Sequence, residues 1–226
     1  MNFTKAQTNG NDFIIIEGKG IELTLEQKRR LADRKFGVGC DQIIFIEKKA
    51  NRFLVNFFNQ DGSSADMCGN GACAIALYIK KQFKLDKVEL EISGKVYKTS
   101  SEEDNITVSF PMPRNVGDII TTGNKHRIFG IDETKNAESL AKLNPDCNLH
   151  FVEKISDNSF RVKTFERGVG WTLACGSGAI ASGFHSGISG KIRIIHDGGE
   201  SFVENKGDHI DLTTKPKLVF EGKFYA

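Results

Sequence analysis

The sequence predicts an α+β fold of two pseudo-symmetric domains, each a strand-rich, barrel-like sheet around a central helix. Three observations lead to this prediction. A glycine-rich segment occurs twice, as FNQDGSSADMCGNGA at 58–72 and as FERGVGWTLACGSGA at 165–179. The residues before each copy match one another at an offset of 106 or 107 positions. After each copy a helical pattern is followed by three short strand-like segments, so one α+β arrangement is built twice.

The first half contains two predicted helices and a series of strands. The first helix starts near Thr24, because Thr24 and Gln27 have the spacing of a capping box. A strand rich in aromatic and β-branched residues, RFLVNFFN, leads to the first glycine-rich segment, and the helix ACAIALYIKKQF follows it. Three further strands are predicted at VELEIS, KVYKTS and NITVSF.

The second half repeats this order. A shorter helix starts near Asn136, a plausible N-cap residue. The strand SFRVKTFE leads to the second glycine-rich segment, and AIASGFHSG forms the next helix. The strands KIRIIH, SFVEN and HIDLTT follow. The Pro- and Gly-containing stretch 111–117 is the predicted boundary, which gives domains of 1–114 and 115–216.

Composition limits the functional class. The chain has 226 residues, 39% hydrophobic and 27% charged, and a net charge of +2. This balance, without a basic block, argues against nucleic acid or a membrane surface as partner. The N-terminus lacks the apolar run of a signal peptide, and no stretch is long enough to cross a membrane. Five cysteines without a C-x-x-C pair fit a reducing cytoplasm better than a disulfide framework.

The two cysteines of the repeat, Cys68 and Cys175, carry the predicted chemistry. Each lies where a strand turns into a helix, so the N–H groups of the following glycine loop are left to bind an anion such as a carboxylate. A helix N-terminus also favours thiolate over thiol. With a carboxylate held at both loops, one thiolate can remove the Cα proton while the opposite thiol supplies another. This predicts racemisation or epimerisation without a cofactor, because the acid and the base exchange roles in the reverse direction.

Simpler interpretations apply to the other cysteines. Cys40, Cys73 and Cys147 are predicted to be packing residues, since a buried cysteine usually behaves as a small hydrophobic residue. A metal site formed by Cys68, Cys175 and His126 is disfavoured, because the sequence has none of the short-spaced ligand pairs usual in zinc sites. No metal is therefore expected.

These segments resemble, in order and nearly end to end, the motifs of the diaminopimelate epimerase family. MCGNG together with ERG and ACGSG is the most specific part, because the related proline racemases typically carry His in the first glycine motif and lack ERG. The matching segments are NGNDF (9–13), GVGCDQ (37–42), NQDGS (59–63), MCGNG (67–71), GNKH (123–126), Asn148, ERG (166–168) and ACGSG (174–178).

The resemblance implies an isomerase that needs no pyridoxal phosphate or other cofactor and interconverts LL- and meso-2,6-diaminopimelate for lysine and peptidoglycan synthesis. It implies that Cys68 and Cys175 are the catalytic acid/bases, assisted by His126 and Glu166. It also implies a homodimer, with a last strand near 217–226 that joins the first domain. The implied substrate-binding residues are Asn11, Gln42, Asn59, Gly69, Asn70, Asn124, Asn148, Glu166, Arg167, Gly176 and Ser177.

Several departures from the family pattern bear on the substrate. Cys73 replaces an Arg, Lys125 a Pro and Trp171 a polar residue, and the segment 114–148 is short. Two alternatives therefore stay open: a related cofactor-independent racemase with another side-chain specificity, and a degenerate, non-catalytic amino-acid-binding protein. The remaining histidines match no motif and are predicted to be solvated or structural; they are His150, His185, His196 and His209.

Overall fold

The computed structural model describes residues 1–225, which form two compact units. The first unit comprises Met1–Val108 together with the C-terminal segment that begins at Lys215, and the second comprises Ser109–Thr214. The domain limits predicted from the sequence, 1–114 and 115–216, stay a prediction.

The elements follow the predicted order. The helices are α1 Leu25–Ala32, α2 Gly69–Phe83, α3 Ala137–Leu143 and α4 Gly176–His185, and a 3-10 helix at Ile131–Asn136 precedes α3. The strands are β1 Asn2–Thr8, β2 Asn11–Glu17, β3 Gln42–Lys49, β4 Arg52–Asn59, β5 Ser64–Ala65, β6 Lys87–Ile92, β7 Lys95–Glu102, β8 Asn105–Pro111, β9 Arg114–Val116, β10 Ile119–Thr121, β11 Lys125–Gly130, β12 Cys147–Ser156, β13 Ser159–Glu166, β14 Gly170–Thr172, β15 Gly190–His196, β16 Gly199–Asn205, β17 His209–Thr214 and β18 Lys217–Lys223.

The first unit is a curled mixed sheet that packs around α2. Its strand order is β18, β1, β2, β3, β4, β6, β7, β8, and β5 pairs with β4. The pairs β2–β3 and β4–β6 are parallel, and the other neighbours are antiparallel. Helix α2 packs against β1, β2, β7 and β18. Its first three turns are buried, which requires small or apolar residues on all sides of the helix.

The second unit repeats this pairing pattern around α4. Its order is β9, β10, β11, β12, β13, β15, β16, β17, with β14 on β13. Parallel pairs recur at β11–β12 and β13–β15. Strand β9 pairs antiparallel with β10, and β18 pairs antiparallel with β1 in the same way. The edge strand of the first unit therefore comes from the C-terminal end of the chain. The predicted fold class, a duplicated α+β fold, is confirmed.

The predicted N-cap residues of α1 and α3 differ in the hydrogen bonds that they make. Thr24 and Gln27 form the predicted capping box of α1. Asn136 occupies the N-cap position of α3, but its side chain makes no capping hydrogen bond and donates instead to Glu133 Oε2 at 2.7 Å. The preceding 3-10 helix places that carboxylate within reach. Within residues 1–225, no helix combines the length and the apolar composition that crossing a membrane requires.

Candidate active site

Cys68 and Cys175 occupy the same structural position in the two units. Each is the N-cap residue of a buried helix, with φ −134° and ψ 114° at Cys68 and φ −129° and ψ 115° at Cys175. Cys68 Sγ accepts the backbone N–H of Gly71 at 3.4 Å, and Cys175 Sγ accepts that of Gly178 at 3.3 Å. An N–H donor at the positive end of a helix stabilises negative charge on sulfur. Both cysteines thus have the geometry that stabilises a thiolate.

The third residue after each N-cap has to be glycine. A Cβ atom on Gly71 would lie 2.5 Å from Phe57 Cε1. On Gly178 it would lie 2.1 Å from Cε1 of His150, a fully buried ring. The glycines let each first turn approach the sheet closely enough for its N–H to reach the sulfur.

Asn11 and Asn70, two residues of the predicted substrate-binding set, lie beside Cys68. Asn11 Oδ1 lies 3.6 Å from Cys68 Sγ and accepts Asn70 Nδ2 at 3.4 Å. The orientation of the Asn11 amide is fixed because its Nδ2 donates to Asp41 Oδ2 at 2.8 Å. The first-unit cysteine is thus surrounded by amide groups that can donate and accept hydrogen bonds.

A partly buried charge network, which the sequence did not reveal, holds this arrangement. Asp12 accepts Lys5 Nζ at 2.6 Å and both terminal nitrogens of Arg34 at 3.0 and 2.7 Å. Burial raises the pKa of Asp12, but the hydrogen bonds and charges of Arg34 and Lys5 outweigh it and lower the pKa to about 2. Arg34 also donates to Asp41 Oδ1 at 2.8 Å. The network therefore fixes the carboxylate that orients Asn11.

Gln42 and Asn59 form a second polar pair in the first unit. They are cross-strand neighbours on β3 and β4, and Gln42 Nε2 donates to Asn59 Oδ1 at 3.2 Å. Asn59 Nδ2 donates in turn to Ser63 Oγ at 3.1 Å. Gln42 Oε1 is buried and has no hydrogen-bond partner among residues 1–225. An amide oxygen in this state can accept a hydrogen bond from a bound polar group.

Several predicted residues of the second unit make hydrogen bonds to residues close by in the same unit. Cys175 Sγ lies 3.4 Å from Ser177 Oγ. Asn148 Oδ1 accepts the backbone N–H of Arg167 at 3.0 Å, which fixes the start of the turn between β13 and β14. Glu166 Oε1 accepts Thr172 Oγ1 at 2.7 Å. Asn148, Glu166 and Arg167 thus lie together at one end of the β12–β13 strand pair.

His126 lies buried beneath the start of α4. Its Nδ1 is 2.8 Å from His150 Nε2, and its Nε2 is 2.9 Å from Thr122 Oγ1. Burial lowers the pKa of His126 to about 4, so the ring is neutral near pH 7. Thr122 also ties down the turn that carries Asn124, since its N–H donates to the Asn124 carbonyl at 3.0 Å. Assistance by His126 in proton transfer stays a prediction.

Trp171 is half exposed on β14 and contacts the Phe165 and Phe151 rings at centroid distances of 5.4 and 5.5 Å.

Cys40, Cys73 and Cys147 are buried, and burial raises the pKa of the Cys40 thiol to about 12. Within the described part of the chain, no three His, Cys, Asp or Glu residues are grouped so that they could hold a metal ion.

The buried histidines predict acid lability. Burial lowers the pKa of His126 and His196 to about 4, and that of His150 well below 6.5. The unfolded chain takes up these protons near pH 6.5 but the folded chain does not, so the stabilisation is complete above pH 6.5 and is lost as the pH falls toward 4. His126 and His196 should each contribute about 2–3 kcal/mol of this loss by pH 4.5. Urea titrations at pH 7.5, 6.0 and 4.5 measure it, and an unchanged free energy of unfolding would contradict the prediction.

Relatives of known class match the chain over nearly their whole length. A profile described as diaminopimelate epimerase matches residues 3–114. The diaminopimelate epimerase of Coxiella burnetii (strain RSA 493 / Nine Mile phase I) is 31% identical, with 99% of each chain covered. That of Nitrosospira multiformis is 30% identical, over 99% of this chain and 98% of the other. The chain belongs to the diaminopimelate epimerase family.

Solved structures of low identity show that this family member shares its fold with other proteins. A putative phenazine biosynthesis PhzC/PhzF protein from Clostridium difficile (strain 630) superposes with a TM-score of 0.75 at 14% identity, covering 100% of both chains. A hydroxyproline epimerase from Agrobacterium vitis gives 0.70 at 11% identity, covering 98% and 91%. Membership of the diaminopimelate epimerase family makes the chain an isomerase of the epimerase type, as predicted.

Proposed function

We propose that the chain interconverts LL- and meso-2,6-diaminopimelate by proton transfer at one α carbon, with Cys68 and Cys175 as the two acid/base groups. The observation that carries this proposal is the repeated N-cap cysteine, whose sulfur accepts an N–H from the first helical turn at 3.4 Å in one unit and 3.3 Å in the other. The substrate is proposed because the relatives that share 30% and 31% of residues are named for it.

The proposed step needs no oxidant, reductant or cofactor. One thiolate takes the α proton, so the Cα–H bond breaks, an S–H bond forms and the electron pair is delocalised into the adjacent carboxylate. The S–H bond of the other cysteine then breaks, and its proton is delivered to the opposite face of the same carbon. The configuration is inverted, and the two sulfurs have exchanged protonation states. Microscopic reversibility makes two equivalent acid/base groups the natural solution.

The glycine loops are proposed to bind the carboxylate of the reacting centre. The loops 69–71 and 176–178 form the first turns of α2 and α4, where backbone N–H groups lack partners within the helix. Such helix ends bind carboxylates and stabilise the charge that builds up as the α proton leaves. Gly69, Asn70, Gly176 and Ser177 belong to this part of the proposed site.

The remaining polar residues are proposed to bind the distal amino-acid end. An ammonium and a carboxylate on one carbon need acceptors and donors together, which an amide side chain supplies. Arg167 can hold a carboxylate through two parallel hydrogen bonds. Glu166 and His126 are proposed to assist proton transfer or to orient the thiols. The amide residues of this set are Asn11, Gln42, Asn59, Asn124 and Asn148.

Exchange of α protons with deuterated water, followed by proton NMR over a panel of amino acids, tests the substrate. The proposal expects diaminopimelate to exchange at the inverting centre at least about 100-fold faster than any other amino acid, since a site built for a second head group leaves its polar groups unpaired with shorter substrates. If another amino acid exchanged its α proton and diaminopimelate did not, the proposed substrate would be wrong. Binding without exchange of any amino acid would indicate the non-catalytic alternative.

A cofactor-independent racemase of different specificity is the second candidate function. Two observations favour it. Trp171 presents a half-exposed aromatic ring at the strand that follows Glu166 and Arg167. The alignment with the relative from Nitrosospira multiformis extends over 270 positions, although the chain has 226 residues, so the relative has additional residues that this chain lacks. The same NMR panel distinguishes the two candidates.

We propose that the enzyme acts on a small amino-acid substrate in the cytoplasm, which its cysteine usage favours, and as a homodimer, which the family resemblance implies. Light scattering should then give twice the 25.0 kDa mass of the chain.

A further inference from the structure

A continuous buried chain of hydrogen bonds lies beneath the first turn of α4. Thr164 Oγ1 lies 3.1 Å from His150 Nδ1, and His150 Nε2 lies 2.8 Å from His126 Nδ1. The chain continues to Thr122 Oγ1, 2.9 Å from His126 Nε2. His126, His150 and Thr164 are all fully buried.

The first unit fills the equivalent positions with apolar side chains. On β2 and β3, Phe13 is paired with Gln42, as His126 is paired with Asn148 on β11 and β12. Across the next strand pair, Ile44 faces Phe57 in the first unit, and His150 faces Thr164 in the second. Because the pairing patterns of the two units coincide, Phe13, Ile44 and Phe57 correspond to His126, His150 and Thr164.

Packing alone therefore does not require the histidines. Phe13, Ile44 and Phe57 are fully buried, and the rings of Phe13 and Phe57 occupy the space beneath Gly71. A buried imidazole loses its hydration and recovers only a modest net free energy from each hydrogen bond that it makes. An apolar core suffices for the same fold in the first unit, so the polar chain in the second unit calls for a functional explanation.

The chain is consistent with two neutral imidazoles. Each neutral ring has one N–H group and one bare nitrogen, so the bonds can run from Thr122 toward Thr164 or in the opposite direction. In either direction every ring nitrogen is satisfied and no charge is buried. Burial lowers the pKa of both rings, which keeps them neutral near pH 7. Both ring planes are thereby fixed.

The two ends of the chain reach two parts of the candidate site. His150 packs directly against Gly178, whose N–H donates to Cys175 Sγ at 3.3 Å. Thr122 donates its own N–H to the carbonyl of Asn124 at 3.0 Å. The hydrogen-bonded chain thus connects the helical turn that supports the sulfur with the turn that carries Asn124.

We propose that His150 is a positioning residue for Cys175. Its ring is held by His126 and Thr164. The first turn of α4 packs against this ring, which connects that turn to the Thr122–Asn124 turn. This inference rests on the proposed function, in which Cys175 is one of the two acid/base groups.

The first unit supplies the test variant. The double change His150→Ile with Thr164→Phe introduces the Ile44–Phe57 pair and leaves His126 in place. The inference expects kcat to fall by about 10- to 100-fold with KM within about threefold, because a small displacement of a reacting group has an effect of that size. The alkylation rate of Cys175 by iodoacetamide, mapped by mass spectrometry between pH 6 and 9, should change, while that of Cys68 should not.

His196→Ile is the matched control. His196 is another buried histidine of the second unit, and neither of its ring nitrogens has a hydrogen-bond partner in the described residues. Its replacement should leave kcat and both alkylation rates unchanged. If the double variant does not fold, adding His126→Phe completes the apolar set of the first unit, and the alkylation rates are measured on that triple variant.

Wild-type kcat together with an unchanged Cys175 alkylation profile in the swapped variant would overturn the inference. Failure of the proposed function gives a different result: the wild-type protein itself would then exchange no α proton of diaminopimelate. In that event the comparison of Cys175 with Cys68 alkylation still decides whether His150 positions the thiol.

Discussion

Replacing either Cys68 or Cys175 by alanine is expected to reduce epimerisation in both directions by about 10³- to 10⁴-fold, the upper range for a general acid or base. Each direction needs one sulfur to remove the proton and the other to supply it, so neither cysteine is dispensable for either isomer. The measurement is the rate of appearance of meso-diaminopimelate from the LL isomer, and of LL from meso, for each purified variant.

Cys73→Ala is the control for this prediction. Cys73 lies on the same helix as Cys68, but it is buried in the helix interior. Its replacement removes a thiol and a little core volume, so stability should fall modestly while activity stays near the wild-type rate. More than a tenth of wild-type turnover in either catalytic variant would refute the two-thiol mechanism.

The second large effect is expected at the glycines beneath the sulfurs. In Gly178→Ala the new methyl group would lie 2.1 Å from His150 Cε1, and in Gly71→Ala it would lie 2.5 Å from Phe57 Cε1. Both rings are buried and cannot move aside without disturbing the core. The first helical turn should therefore shift, with a loss of about 1–3 kcal/mol of stability and about 100-fold in kcat. Urea unfolding and steady-state kinetics measure the two effects.

Gly183→Ala is the control that distinguishes the effect of steric crowding in α4 from the effect of displacing the Cys175 sulfur. Gly183 lies on α4 beyond its first turn, and a Cβ there would come within 2.7 Å of Val203 Cγ1. The strain is of a similar kind in the same helix but remote from Cys175. Stability should change without a comparable loss of kcat. Equal losses of kcat in Gly183→Ala and Gly178→Ala would show that the first turn has no special role.

Much of the fold could be predicted because the duplication is visible in the sequence. The strands before Cys68 and Cys175 share Phe, Val and Phe at the same three positions, and the helices after them follow from the same pattern. The short strand β9 was missed because the Pro- and Gly-containing stretch 111–117, in which it lies, was interpreted as a boundary alone. The last strand β18 was expected only from the family resemblance, since no local signal shows that Lys217–Lys223 pairs with β1.

The motifs of the candidate site could be predicted from the sequence, but the residues that hold those motifs in place could not. Lys5, Asp12, Arg34 and Asp41 lie on separate segments, and only the folded chain brings them together around Asn11. The histidine chain had a usable signal, because the offset of 106 positions aligns His150 with Ile44 of the first half. A polar residue opposite a core residue in a duplicated fold indicates that the two halves have diverged for a reason other than packing.

The most direct test of the two-thiol account is the isotope distribution during one-way conversion in deuterated water. At low conversion of LL-diaminopimelate, the account predicts that product molecules carry solvent deuterium at the inverted carbon while the remaining substrate keeps its α proton. This follows because the proton removed by one sulfur is not the one returned by the other. If the remaining substrate gained deuterium as fast as the product, a single base would serve both faces, and the central claim would be contradicted.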